Sequence, residues 1–172
     1  MAHCVSALKE WTGKGSATII YDSRVDPFTD QGLFDKVKGK ANIAVVGFTA
    51  DGDVFGGFYN VAVTEQNRSF YDPNMFIFSF ESHGRCETPK RFTVKAEKRG
   101  DKYVCFYKNH SSGRFVNIGG NAGWFYLGNE TSKTYCFYLS DGYEGIENTT
   151  LTGKTGSSNP FTCTRIVAIQ LE

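Results

Sequence analysis

The chain lacks any apolar run near the roughly 18 residues that make a membrane-spanning helix, so no membrane insertion is expected. It also lacks an excess charge of either sign. Nineteen Lys and Arg against 18 Asp and Glu leave a formal net charge of +1. That argues against a global pull toward nucleic acid or anionic membrane and leaves local patches to be weighed. No basic segment leading into an apolar one follows Met1, so no secretory signal is read. The five cysteines, Cys4, Cys86, Cys105, Cys136 and Cys163, are odd in number, widely separated and without a Cys-x-x-Cys spacing. A disulfide scaffold is disfavoured, and reduced thiols in a cytoplasmic protein are expected. Proline is scarce, 4 residues against 19 glycines, a balance that suits many tight turns and not a helix bundle. What is present is aromatic: 15 Phe, 9 Tyr and 2 Trp in a composition that is 40% hydrophobic. Such a chain packs a core, and 172 residues suit one domain.

Cys4, Leu8 and Trp11 fall at i, i+4 and i+7, the stripe of a short helix. Such a helix is too short to stand alone, so it docks on a larger body or ends a longer upstream helix. Residues 1–16 are accordingly read as helix and connector, and 17–172 as the domain. A strand is expected at Thr18–Tyr21, then a second helix capped by Thr29 that carries Leu33, Phe34 and Val37 on one side. Ile43–Thr49 and Val54–Val63 read as a hairpin about Asp51-Gly52. Gly56-Gly57 inside its second strand predicts a bulge, a bend or a close approach by another group. Met75–Phe80, Arg91–Ala96, Lys102–Tyr107, Arg114–Ile118, Gly123–Leu127 and Thr134–Leu139 follow as strands. Residues 140–160, rich in Gly, Ser, Thr and Asn, are expected to be the most mobile stretch. In the final strand Cys163, Val167, Ile169 and Leu171 should share one face. About nine strands and two short helices imply a mainly β fold, a two-sheet antiparallel β-sandwich flanked by short helices.

Candidate chemistry is thin. The segment around Gly153-Lys154-Thr155 departs from the phosphate-loop spacing, and Gly119-Gly120-Asn121-Ala122-Gly123 runs into an aromatic strand, not a helix. His83 and Cys86 have a metal-like spacing but no second pair nearby. Asp51 and Asp53 are turn formers. Cys105 and His110 could approach across a strand end, although Cys105 has the surroundings of a core residue. Cys86, loop-like and flanked by His83 and Arg85, is the candidate redox-sensitive thiol. Trp124, Tyr126 and Tyr143 could form a sugar platform. Lys90, Arg91, Lys95, Lys98 and Arg99 form a basic segment interrupted by Glu87, Glu97 and Asp101. A solvated edge or a protein-contact face fits that segment better than a nucleic-acid surface. No catalytic residue, metal or cofactor is assigned.

Several stretches together resemble the TLDc domain of oxidation-resistance proteins. They are Ile19 through Phe28 with Arg24, Asp26 and Phe28; Leu33-Phe34; Ile43–Val46; Asp53 through Tyr59 around Phe55-Gly56-Gly57-Phe58; Asp72 through Phe80; Phe115 through Gly120; and Trp124–Leu127. The match is that of a divergent member. Val25 separates Arg24 from Asp26, Pro27 stands where glycine is usual, and little of the family pattern remains over 129–159. The resemblance implies a β-sandwich decorated by short helices. It also implies a noncatalytic interaction or regulatory domain in oxidative-stress response, with subunits of the vacuolar proton pump as a possible partner. Arg24 and Asp26 are expected to organise the turn before the second helix. The isolated domain is expected to be monomeric. Glycan, small-ligand or nucleic-acid binding, and a hydrolytic or thiol-redox enzyme, are the alternatives.

Overall fold

The near-continuous apolar runs Ile43–Thr49 and Val54–Tyr59 suit strands buried on both faces, and they form a hairpin, β2 and β3, that becomes the centre of a larger sheet. The computed structural model describes residues 1–172 throughout. In chain order it contains α1 (Ala2–Thr12), β1 (Ala17–Asp22), α2 (Asp30–Val37), β2, β3, β4 (Phe70–Tyr71), β5 (Phe76–Glu81) and β6 (Lys90–Thr93). A 3₁₀ helix (Ala96–Asp101), β7 (Tyr103–Phe106), β8 (Arg114–Ile118), β9 (Trp124–Gly128), β10 (Cys136–Phe137), α3 (Leu139–Gly142) and β11 (Cys163–Leu171) complete it. A six-stranded antiparallel sheet runs β1-β11-β2-β3-β5-β6, and a five-stranded one runs β10-β9-β8-β7-β4. The expected sandwich is present, with eleven strands where about nine were anticipated. The strand not anticipated is β4, whose two residues are too few to carry an alternation that sequence could reveal, while β10 keeps only two residues of the strand expected over Thr134–Leu139.

The principal core lies between the sheets. It joins Ile43, Val45 and Phe55 of the larger sheet to Val104, Phe106, Val116, Ile118, Phe125 and Leu127 of the smaller. Helix α2 adds Leu33, Phe34 and Val37, and begins where the Thr29 hydroxyl accepts from the Gly32 amide at 2.9 Å. A second apolar layer covers the outer face of the six-stranded sheet. There Cys4 and Leu8 of α1 meet Val46, Phe58, Phe76, Phe78, Val167 and Ile169, with Trp11 packed against them. Phe76, Phe78, Val167 and Ile169 therefore serve this outer layer and not the space between the sheets.

Three expectations are revised. A register shift between Cys163 and Arg165 changes the facing of β11. Cys163 joins Ile166 and Ala168 in the inter-sheet core, while Val167, Ile169 and Leu171 face α1. Residues 140–160 are anchored, since Tyr143, Ile146 and Leu151 are buried in the main core. Lys95 N–H donates to Gly142 O, and Glu144 N–H to Thr93 O, which ties this stretch to the end of β6. Its polar composition hid three widely spaced anchors. The segment read as a strand over Arg91–Ala96 likewise stops at Thr93 and turns into the 3₁₀ helix. No helix is long and apolar enough to cross a membrane.

Candidate functional site

The Phe55-Gly56-Gly57-Phe58 stretch sits in the middle of the larger sheet, and all four residues are buried. Phe55 points inward, its ring edge-on to Phe125 at 5.0 Å and Phe161 at 5.4 Å. Phe58 points outward and stacks on Phe76 at 5.1 Å. Each glycine answers a different neighbour. A Cβ on Gly57 would stand 2.5 Å from Ile118 Cγ2 of the facing sheet. One on Gly56 would run into the Val45 carbonyl and lie 2.8 Å from Phe78 Cζ. Gly56-Gly57 is a double close approach, with a register shift just before it, between Val54 and Phe55. Its role is to let the sheet pack on both sides.

Arg24 and Asp26 do not pair with one another. Asp26 Oδ2 accepts from the Asp22 amide at 3.0 Å, and its other oxygen lies 3.9 Å from Lys36 Nζ of α2. Arg24 is exposed and takes part through its amide, which donates to Asp22 Oδ1 at 3.0 Å. The turn is closed by groups the sequence did not single out. Tyr21 Oη donates to Pro27 O at 2.8 Å, and Arg165 of β11 grips Asp22 through two bonds of 3.0 and 2.6 Å. The hydrogen bond from Arg165 holds the Asp22 carboxyl below its usual range. Phe28 is half-buried and packs edge-on to Phe115 at 5.8 Å.

Cys86 is half-buried, its amide and thiol on the Ser82 hydroxyl at 3.1 and 3.5 Å. Its basic neighbours turn elsewhere. The Nδ1 of His83 lies 2.8 Å from Asp53 Oδ1, and Arg85 NH2 reaches the same oxygen at 2.5 Å. Arg85 also donates to Thr150 O at 2.9 Å and Leu151 O at 3.0 Å. Asp53 is only 1% exposed, so its charge is balanced by the Arg85 guanidinium, with the His83 imidazole on the same oxygen, and its other oxygen meets the Thr49 hydroxyl at 3.4 Å. Asp53 is therefore more than a turn former: with Arg85 it ties the β2–β3 turn to the loop after β5 and to residues 150–151. The imidazole of His83 is half exposed at the rim of this cluster.

The glycine-rich segment 119–123 wraps around Lys102. The Lys102 ammonium donates to Asn121 O at 3.0 Å and to Ala122 O and Gly123 O at 2.8 Å each. It lies 4.3 Å from the Tyr143 ring centroid. Burial pushes this lysine down to about 7, against the carbonyls and the ring, which favour its charged form. Tyr143 is thus a core residue and unavailable as a sugar platform. Trp124 and Tyr126 are half-buried on the outer face of the smaller sheet, opposite in direction to Phe125 and Leu127. Lys154 lies 3.3 Å from Asp51 and forms no phosphate cradle. Cys105, Cys136 and Cys163 are buried, and burial pushes their thiols up to about 11, 12 and 11. His110 packs on Tyr107 at 4.6 Å and accepts the Ser112 amide at 3.0 Å. No three His, Cys, Asp or Glu side chains converge as a metal set.

A comparison with protein families decides the family: the sequence model of the TLDc domain matches residues 3–166. The chain belongs to the TLDc domain family. The match begins within α1 and runs into β11, so it takes in both sheets and the helix that covers the larger one. A search of curated proteins finds no match. As a TLDc domain the chain is associated with the oxidative-stress response. The buried Phe55–Phe58 stretch shows how the residues that carry the family likeness serve the packing of this TLDc domain.

Proposed function

We propose that this TLDc domain is a noncatalytic interaction or regulatory module of the cytoplasmic oxidative-stress response, and that it acts by binding protein partners. The observation that carries this reading is the match over residues 3–166, together with the use the fold makes of its reactive groups. Four of the five thiols are buried, and burial pushes each of them up; Asp53 is engaged by Arg85 and His83, and Lys102 is enclosed by carbonyls. These side chains hold loops together. Subunits of the vacuolar proton pump are the partner we propose, on the family resemblance alone. The domain is proposed to be monomeric at low micromolar concentration, with Cys86 as its most accessible cysteine for oxidation.

The test is affinity capture from the protein's own cells, with and without oxidant, beside assays of peroxide consumption and of ester, peptide and glycoside hydrolysis. The expected result is reproducible recovery of pump subunits and no turnover. A rate abolished by Cys86→Ser or His83→Gln in a folded protein would overturn the noncatalytic assignment. Glycan binding is the second reading, favoured by the half-exposed Trp124 and Tyr126. Glycan retained through high-salt washing and lost in Trp124→Ala would establish it.

A further inference from the structure

Residues 90–99 hold five Lys and Arg against Glu97 alone, a segment of +4 in a chain whose total is +1. The rest of the molecule is therefore net acidic, and the positive charge is concentrated on one edge. None of Lys90, Arg91, Lys95, Lys98 and Arg99 pairs with a carboxylate of the chain; its ion pairs lie elsewhere. The segment comprises β6, the last strand of the larger sheet, and the start of the 3₁₀ helix after it. Arg91 and Arg99, eight positions apart, line one open pocket of about 150 Å³ together with Asn74, Thr93 and Val94. Arg91 lies over the Phe76 ring, 5.4 Å from its centroid, and donates to Trp11 O at 3.0 Å. It is thus positioned by the fold, while Arg99 is exposed and free to meet a ligand.

We propose that this edge docks an acidic segment of a protein partner, one carboxylate of which enters the pocket between Arg91 and Arg99. The inference rests on the interaction-module reading and gives it a surface. Keeping a sheet edge from pairing with other edges explains Pro89 and Lys90. It does not explain Lys95, Lys98 and Arg99, which lie beyond the strand. Charge complementarity selects the partner: guanidinium groups at a small polar pocket suit carboxylates in bidentate geometry. Nucleic acid is disfavoured because Phe76 and Phe92, the rings beneath Arg91 and Lys90, are buried and offer no face for base stacking. A membrane surface is disfavoured because none of the chain's exposed large apolar residues lies in this segment.

The experiment titrates a fluorescein-labelled peptide rich in Asp and Glu with the full chain, by anisotropy, at rising salt. Saturable binding that weakens with salt is expected, and Lys98→Glu/Arg99→Glu should weaken it about tenfold or more with the melting temperature held. The milder Arg99→Gln serves where charge reversal perturbs the fold, and should weaken binding several-fold. Amide shifts on peptide addition should be confined to residues 73–76 and 90–99. Insensitivity to both variants, shifts elsewhere, or tighter binding through these residues of a single-stranded DNA of equal charge or of phosphatidylserine vesicles would each overturn the proposal. Partner capture that survives Lys98→Glu/Arg99→Glu refutes this surface and leaves the interaction reading standing. A domain that captures no partner refutes that reading, while the peptide titration still judges the surface.

Discussion

The two sheets expose their outer faces to very different fates. On the six-stranded sheet, α1 lies over Phe58, Phe76, Phe78 and Phe80, and Trp11 meets Phe76, Phe78 and Phe80 at ring separations of 6.0, 6.1 and 6.2 Å. On the five-stranded sheet the outward positions hold Tyr103, Cys105, Asn117, Trp124 and Tyr126, and no helix supplies a matching apolar stripe. There the aromatics pack on one another instead, Trp124 on Phe137 at 5.1 Å and Tyr126 on Tyr135 at 5.2 Å, with Arg114 3.9 Å above the Tyr126 ring. Phenylalanine lines the covered face, where no polar atom needs a partner. Tyrosine lines the open one, where an apolar body and a wet tip are both satisfied, whereas Trp124 packs there as a ring, its indole N–H buried without a hydrogen-bond partner. A sheet face can thus be finished by a helix or by amphipathic rings, and the residue type records which.

Substitution at Gly56 breaks the covered side most severely. Valine there meets the Val45 carbonyl, which belongs to the neighbouring strand and cannot swing aside, as well as the Phe78 ring. We expect Gly56→Val to cost about 3–4 kcal/mol and Gly57→Val about 1–3 kcal/mol, since Ile118 can change rotamer, both read by urea denaturation. The order of the two is the informative part. The tryptophans sharpen the comparison next. Trp11→Ala removes the centre of the α1 contact and should cost about 2–3 kcal/mol, with dye-detectable exposure of the phenylalanine face. Trp124→Ala, on the open face, should cost about 1 kcal/mol. Equal costs would mean that the two faces are finished to the same degree.

How much of this was legible in the sequence depends on the separation of the partners. The β2–β3 hairpin, the Thr29 cap and the close approach at Gly56-Gly57 are written in adjacent residues, and the ordered motifs gave the TLDc family and the sandwich. The Asp22–Arg165 pair bridges 143 positions and the Asp53–Arg85 pair 32. Neither acid carries a local sign of its partner, so Asp53 read only as a turn residue. Lys102 was hidden for a different reason. In the polar run Lys98-Arg99-Gly100-Asp101-Lys102 nothing distinguished the one cation that the chain encloses from those nearer to water. The register shift in β11 also could not be foreseen, because it depends on how β2 receives the strand.

Each sheet also fixes one cation whose effect depends on pH. Near the smaller sheet, Lys102→Met leaves the carbonyls of Asn121, Ala122 and Gly123 without their donor and should cost about 2 kcal/mol near neutral pH. An unfolded lysine keeps its proton to about 10.4, whereas burial brings Lys102 down to about 7. Between those values the unfolded chain binds the extra proton, so wild-type stability should rise with pH relative to Lys102→Met. Below pH 7 both states are protonated and the penalty of burying the charge is complete. Parallel stability curves for the two proteins from pH 7 to 10 would show instead that the carbonyl cage keeps the lysine charged throughout.

A small effect, no larger than that of Trp124→Ala, is expected at Asp22, on the edge strand of the larger sheet. Its two bonds from Arg165 are short, but both side chains are 17% exposed. Solvent screening limits the pair, and Asp22→Asn should cost about 1 kcal/mol at neutral pH. Arg165 holds the folded carboxyl below its ordinary range. The contribution is therefore complete above the unfolded value near 3.9 and is lost as pH falls through the folded value, where both states become protonated. Stability of wild type and Asp22→Asn should converge on acidification in this window and stay a constant distance apart from pH 5 to 7. Arg165→Lys separates the geometry from the charge. Lysine keeps the positive charge, yet cannot supply two parallel donors or lie 4.8 Å above the Phe48 ring as the guanidinium does. If Arg165→Lys matches wild type at neutral pH, charge alone fixes this edge; a loss equal to that of Asp22→Asn assigns the effect to the paired hydrogen bonds.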